Sequence, residues 1–203
     1  MGTDPSYSLI LLAGGKSSRM GSPKGLLKFR NQTWLEHQVS QFHKTGIKGE
    51  VYVGIGFDAQ RYLDYEFENQ QWFWVQNPNP ELGPFSTLQA CLKKVNSDYC
   101  IIQPVDIPLP CAEEFKKLLD AREAISIAEF EKQHAHPVIL RRDVYKDLLN
   151  IDAEDPEFRL DKQLKKRTKL ITYVALKDSS ILKNLNSPQD YNSYLVDYEC
   201  TDH

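Results

Sequence analysis

The chain of 203 residues carries 25 Lys and Arg against 28 Asp and Glu, a formal net charge of −3, with 41% hydrophobic and 26% charged residues. That composition excludes disorder and collagen-like repetition, gives one domain's worth of chain a sizeable core, and excludes wholesale nucleic-acid coating, which depends on basic residues neutralising phosphates. No apolar run approaches the roughly 18 residues that span a bilayer, and the first seven residues lack the basic-then-apolar layout of a signal peptide, so a cytoplasmic protein without a membrane partner is expected.

In chain order, residues 7–12 (YSLILL) form an almost continuous apolar run, the mark of a strand buried on both faces of a parallel sheet. Four glycines, Gly14, Gly15, Gly21 and Gly25, follow within twelve residues, whereas no glycine occurs after Gly83. Leu35, Val39 and Phe42 recur at helical spacing, so residues 33–44 read as an amphipathic helix. Strands are expected at 51–55 and 72–75, then a loop rich in Pro and Asn and a helix carrying Leu88, Cys91, Leu92 and Val95. A strand at 99–102, a helix around Phe115, Leu118 and Leu119, strands near 125–128 and 137–140, more helix, a strand at 170–174 and a helix after Pro188 complete the chain. This alternation predicts a mostly parallel sheet with helices on both faces. There is no internal repeat, low-complexity linker or second-domain boundary, so residues 1–203 are expected to form one domain.

Cys91, Cys100, Cys111 and Cys200 are too widely spaced for a CxxC metal or redox motif, and are expected to be reduced thiols, three of them in or near the core. His134 and His136 form an H-x-H, but no third ligand follows at a spacing that would suit zinc. The run at 162–169 carries five positive charges and reads first as a solvated helix face, with the drawing of an anion toward a cleft as its alternative.

In open α/β sheets, ligands sit outside the carboxyl ends of the strands, which directs attention to the loops after Leu12 and after Gln103. The first, LAGGKSSRMGSPK at 12–24, fits neither the Walker A pattern nor GxGxxG. Its physics still suits an anion, because consecutive glycines let backbone N–H groups converge while Arg19 and Lys24 supply charge. A flexible basic loop without a ligand is the alternative.

The string L-A-G-G-x-S-x-R-M-G-x-x-K resembles the signature of the molybdenum-cofactor nucleotidyltransferases, which join a nucleoside monophosphate from GTP or CTP to molybdopterin. Further matches follow in the family's order: Lys24-Gly25-Leu26-Leu27, Gly83-Pro84, Asp106-Ile107-Pro108, His136-Pro137 and the Asn184-Leu185-Asn186-Ser187-Pro188-Gln189-Asp190 ending. The resemblance implies a single three-layer Rossmann-like domain of nucleotide-diphospho-sugar transferase type. It implies nucleotide contacts from Leu12, Ala13, Gly14, Gly15, Arg19, Lys24, Asn77 and Asp106, with Arg19, Lys24 and Asp106 catalytic. Asp106 would be the ligand for a Mg²⁺ cofactor, and Asn184 and Asn186 would be substrate contacts, although both also suit a turn and a helix cap. GTP or CTP and molybdopterin are the implied substrates, with transient contact to cofactor-insertion proteins.

On the base, Gly14-Gly15, the Gly83-Pro84 pair and the N-x-N-S-P ending resemble the guanylyl branch. Pro23, a loop shorter by about one residue, and Gly54 and Asn77 in place of an Asn and an Asp depart from it. The sequence around Asp106 resembles the cytidylyl branch. Guanylyl transfer is the favoured expectation. The alternatives are a CTP-using enzyme, one with another phosphorylated acceptor, or a catalytically silent homologue.

Overall fold

The structure, a computed structural model, describes residues 4–18, 20–68 and 70–201, the last three through their backbone alone. Its strands are β1 (Tyr7–Ala13), β2 (Lys28–Phe29), β3 (Gln32–Thr33), β4 (Gly49–Ile55), β5 (Phe73–Gln76), β6 (Tyr99–Pro104), β7 (Ile125–Phe130), β8 (Gln133–Arg141) and β9 (Ile171–Ala175). Its α-helices are α1 (Trp34–Lys44), α2 (Ala59–Leu63), α3 (Pro84–Leu92), α4 (Ala112–Asp120), α5 (Arg142–Leu148), α6 (Leu160–Lys165) and α7 (Pro188–Thr201).

Seven strands make one sheet in the order β5-β4-β1-β6-β8-β7-β9. Within it only β8 runs against its neighbours, so the expected mostly parallel sheet is what forms. The reversal at β8 comes from the tight hairpin after β7, where Glu131 and Lys132 both take positive φ, the conformation a two-residue hairpin turn requires. β2 and β3 form a small separate hairpin that hydrophobic periodicity does not announce.

Side chains alternate across β1. Leu9 and Leu11 join a core with Trp34, Leu35, Val39 and Phe42 of α1, Phe115 and Leu118 of α4, and Tyr191 and Tyr194 of α7. Ile10 joins the opposite core, with Leu88 and Cys91 of α3, Tyr145 and Leu148 of α5 and Leu164 of α6. This period-two division makes β1 an interior strand of a helix–sheet–helix sandwich. Cys91 and Cys100 are buried, and burial pushes the Cys91 thiol up to about 12; Cys111 is exposed, and the side chain of Cys200 lies outside the described residues. Among the described residues no helix is long and apolar enough to cross a membrane.

Helix α1 begins where its sequence directs. The Thr33 hydroxyl accepts from the Glu36 amide at 3.2 Å while the Glu36 carboxylate accepts from the Thr33 amide at 2.7 Å, a reciprocal cap. That fixed start aims Trp34 and Gln38 at the loop after β6.

Candidate active site

Both loops singled out in the sequence leave the carboxyl ends of the adjacent parallel strands β1 and β6, and their backbones are tied together where the Val105 amide donates to the Leu12 carbonyl at 3.0 Å. Between them opens a cleft of about 1060 Å³. Leu12, Ala13, Gly14, Gly15, Lys24, Asp106 and Asn186 line it, so most of the expected site residues converge on one place. Arg19 lies outside the described residues.

At the centre of this convergence the Lys24 ammonium donates to Asp106 Oδ2 at 2.7 Å and to Asn186 Oδ1 at 2.6 Å. Three segments far apart in sequence thus meet on one charge. The lysine and aspartate side chains are 16% and 24% exposed, so water screens the pair only partly. A cation already sits between two hard oxygens, one carboxylate and one amide. That donor set also suits a divalent ion of the Mg²⁺ class, which takes one or two carboxylates and completes its shell from substrate oxygens.

The backbone carrying Asp106 is held from several sides. Trp34 Nε1 donates to the Val105 carbonyl at 2.6 Å, and both Gln38 Nε2 and Gln103 Nε2 donate to the Ile107 carbonyl, at 2.7 and 2.6 Å. The Leu109 amide donates to Gln38 Oε1 at 2.9 Å, and the Leu185 amide donates to the carbonyl of Asp106 itself at 2.8 Å. The last bond brings the Asn186 segment alongside. Sequence inspection missed these supports, although a signal existed: Gln38 stands on the apolar stripe of α1 and Gln103 ends an apolar strand, positions where an amide must find buried partners.

The glycine loop is shaped by its neighbours. A Cβ on Gly14 would fall 2.8 Å from Thr87 Oγ1, whereas one on Gly15 would meet nothing within 4 Å. Gly54 is tighter still, because a Cβ there would lie 2.6 Å from Thr87 Cγ2. Close approach of α3 to β1 and β4 therefore depends on glycine at 14 and 54 together.

Asn77, expected at the nucleotide, is 4% exposed and turned inward. Its Nδ2 donates to Ser86 Oγ at 2.8 Å and Thr87 Oγ1 at 3.0 Å, while its Oδ1 accepts from the Asn79 amide at 3.0 Å. Those bonds use the side chain to fix the start of α3, and Asn77 does not line the cleft. Asn184 is exposed and also outside the lining; its carbonyl accepts from the Asn186 amide at 2.9 Å.

The histidines part company. His136 lines the cleft with Nδ1 3.2 Å from the Ile102 carbonyl, and burial lowers its pKa despite the nearby charge of Asp106. His134 pairs instead with Glu129 at 3.2 Å. Among the described residues no cluster of three or more His, Cys, Asp or Glu side chains could hold a metal. Of the basic run only Leu164 reaches the cleft; Lys166 pairs with Glu157 at 2.8 Å and Arg167 with Asp147. The cation on that wall is Arg159, which the sequence did not single out and which pairs with Asp161 at 2.9 Å.

Comparison with known proteins bears on the family and the fold. Residues 9–168 match the model of the MobA-like NTP transferase domain. The chain is 22% identical over 185 residues to a protein named molybdenum cofactor guanylyltransferase from Shewanella woodyi, covering 89% of this chain and 91% of that one. It is 25% identical over 190 residues to a probable molybdenum cofactor guanylyltransferase from Flavobacterium johnsoniae, covering 92% and 95%. Among solved structures, a nucleotidyl transferase from Methanothermobacter superposes with a TM-score of 0.79 at 17% identity, covering 97% of this chain and 99% of that one. A protein from Mycobacterium sp. strain JC1 superposes with a TM-score of 0.76 at 20% identity, covering 97% and 98%. At these identities the structural matches speak for the fold.

Proposed function

The chain belongs to the MobA-like NTP transferase family, and from that premise we propose that residues 1–203 form one nucleotidyltransferase domain that moves GMP from GTP to molybdopterin. The observation that carries this reading is the Lys24 ammonium between Asp106 and Asn186, at the mouth of a glycine loop. A phosphate oxygen of the acceptor bonds to the α-phosphorus of GTP, the α–β bridging bond breaks, and pyrophosphate leaves. The nucleophile is a substrate phosphate that is already anionic at neutral pH, so no histidine or serine is required to activate it. The chain's task is positioning and charge stabilisation.

Leu12, Ala13, Gly14 and Gly15 carry the loop backbone to the triphosphate, where N–H groups donate to its oxygens. Lys24 neutralises charge gathering on the departing pyrophosphate, and Arg19 is assigned the same duty. Asp106 and Asn186 would hold Mg²⁺, which supplies further charge neutralisation on the phosphate oxygens when bound. The Trp34, Gln38 and Gln103 bonds keep the Asp106 backbone from shifting as charge redistributes.

Guanine is supported by the names of the similar proteins and by the Gly14-Gly15 pair that resembles the guanylyl branch, where a methyl added at Gly14 would have to displace the Thr87 side chain. Asn77 contributes by holding Thr87 in place and does not read the base. Pyrophosphate release from each NTP in the presence of molybdopterin and Mg²⁺ tests the assignment. Turnover with GTP supports it; turnover confined to CTP moves the chain to the cytidylyl branch.

A further inference from the structure

We propose that the outer end of the same cleft is a stacking platform, His134 laid on Tyr173, that receives the flat heterocycle of the acceptor; the inference rests on the acceptor being a phosphorylated pterin. The cleft, about 1060 Å³, lies at the upper end of the roughly 300–1,000 Å³ usual for ligand pockets, and it extends past the glycine loop and Lys24 to His134. With the nucleotide at the glycine loop and the reacting phosphates near Lys24, the β8 wall beyond Asp106 is the stretch of lining we assign to the acceptor. That wall is lined by His136, Ala135 and then His134.

The imidazole of His134 and the ring of Tyr173 stack with centroids 3.8 Å apart and planes 10° from parallel. Three neighbouring strands build the pair. Glu129 of β7 stands directly opposite His134 in the β7–β8 register and meets its Nε2 at 3.2 Å, while Tyr173 comes from β9 on the far side of β7. His134 lines the cleft and Tyr173 does not, so tyrosine backs the imidazole on the side away from the ligand space.

Core packing does not account for this arrangement. The His134 side chain is 48% exposed and Tyr173 44%, so little apolar area is buried, yet the two rings lie face to face. A half-exposed aromatic surface on the wall of a cleft suits a planar heterocycle, because stacking requires only a π-face. His136 adds an edge contact. The Ile102 carbonyl makes Nδ1 the protonated nitrogen and leaves Nε2 as acceptor for a ring N–H.

The test is equilibrium titration of 6-hydroxymethylpterin monophosphate, followed by quenching of its own fluorescence, against the wild-type chain, His134→Ala and His134→Phe. Saturable quenching by the wild type, about tenfold weaker binding by His134→Ala and near-wild-type binding by His134→Phe are expected, with unchanged thermal midpoints. Equal binding by His134→Ala and wild type, or no saturable quenching by the wild type, overturns the platform. A parallel GTP titration separates the two claims: pterin binding that depends on His134 without GTP binding keeps the platform and removes the transferase reading.

Discussion

After β6 the chain is held at almost every step, whereas after β1 it is held mainly by what surrounds it. The Asp106 segment receives side-chain bonds from Trp34, Gln38 and Gln103 and a backbone bond from Leu185. The glycine loop, over its described residues, has one internal backbone bond, from the Met20 amide to the Ser17 carbonyl, and one from the Lys24 amide to Ser17 Oγ at 3.3 Å. The lesson is a division of labour. A preorganised acidic anchor needs fixed geometry, while a loop proposed to receive a triphosphate needs amides left for the ligand.

The largest effect should come from the charge that joins the two loops. Lys24→Ala and Asp106→Ala are expected to fold and to lose on the order of 10²–10³ in kcat, read as pyrophosphate release, as when one preorganised transition-state contact is removed. Folded Asp106→Ala that retains turnover would break the comparison outright.

Next come two substitutions that probe how each loop is supported. Trp34→Phe keeps the aromatic packing but strands the Val105 carbonyl, at an expected cost of about 1–3 kcal/mol in urea unfolding and with a fall in kcat. Gly14→Ala drives a methyl against Thr87 and should cost about 1–3 kcal/mol, partly recovered in Gly14→Ala/Thr87→Ala. Additive losses in that double variant would refute the contact.

Histidine gives a smaller, pH-dependent signal. Burial lowers the His136 pKa below its ordinary value, so the unfolded chain binds its proton more readily. Stability is full above the unfolded value near 6.5 and is lost as pH falls through the folded one. Urea midpoints between pH 7 and 5 should therefore drop more steeply for wild type than for His136→Gln. The smallest effect is expected at Gly15→Ala, within about 0.5 kcal/mol of wild type, because nothing lies within 4 Å of the added methyl. Nucleotide affinity should fall in that variant while stability does not, the reverse of the pattern expected at Gly14.

The same contrast explains what was legible in the sequence. Apolar runs and helical spacing announce β1, β6, α1 and α3 because hydrophobic burial is periodic, and the loop motifs follow because they sit where those strands end. Side-chain direction is not periodic information. Asn77 stands at the end of β5 where a base contact was expected, but the hydroxyls of Ser86 and Thr87, nine and ten residues later, draw its amide into the interior. Arg159 was hidden among ordinary surface charges, and only the packing of α6 brings it to the cleft wall. Gln38 and Gln103 were readable as polar residues in apolar positions, but their shared acceptor, the Ile107 carbonyl, is fixed by tertiary structure.

The central claim is that Lys24, Asp106 and Asn186 form the reacting centre of a guanylyl transfer. Its most direct test is Mg²⁺-dependent titration of GTP, CTP, ATP and UTP against the wild-type chain and Asp106→Ala. The account predicts a preference for GTP that requires Mg²⁺ and weakens in the variant. Binding of GTP that is indifferent to both Mg²⁺ and Asp106, or no nucleotide binding at all, would contradict it.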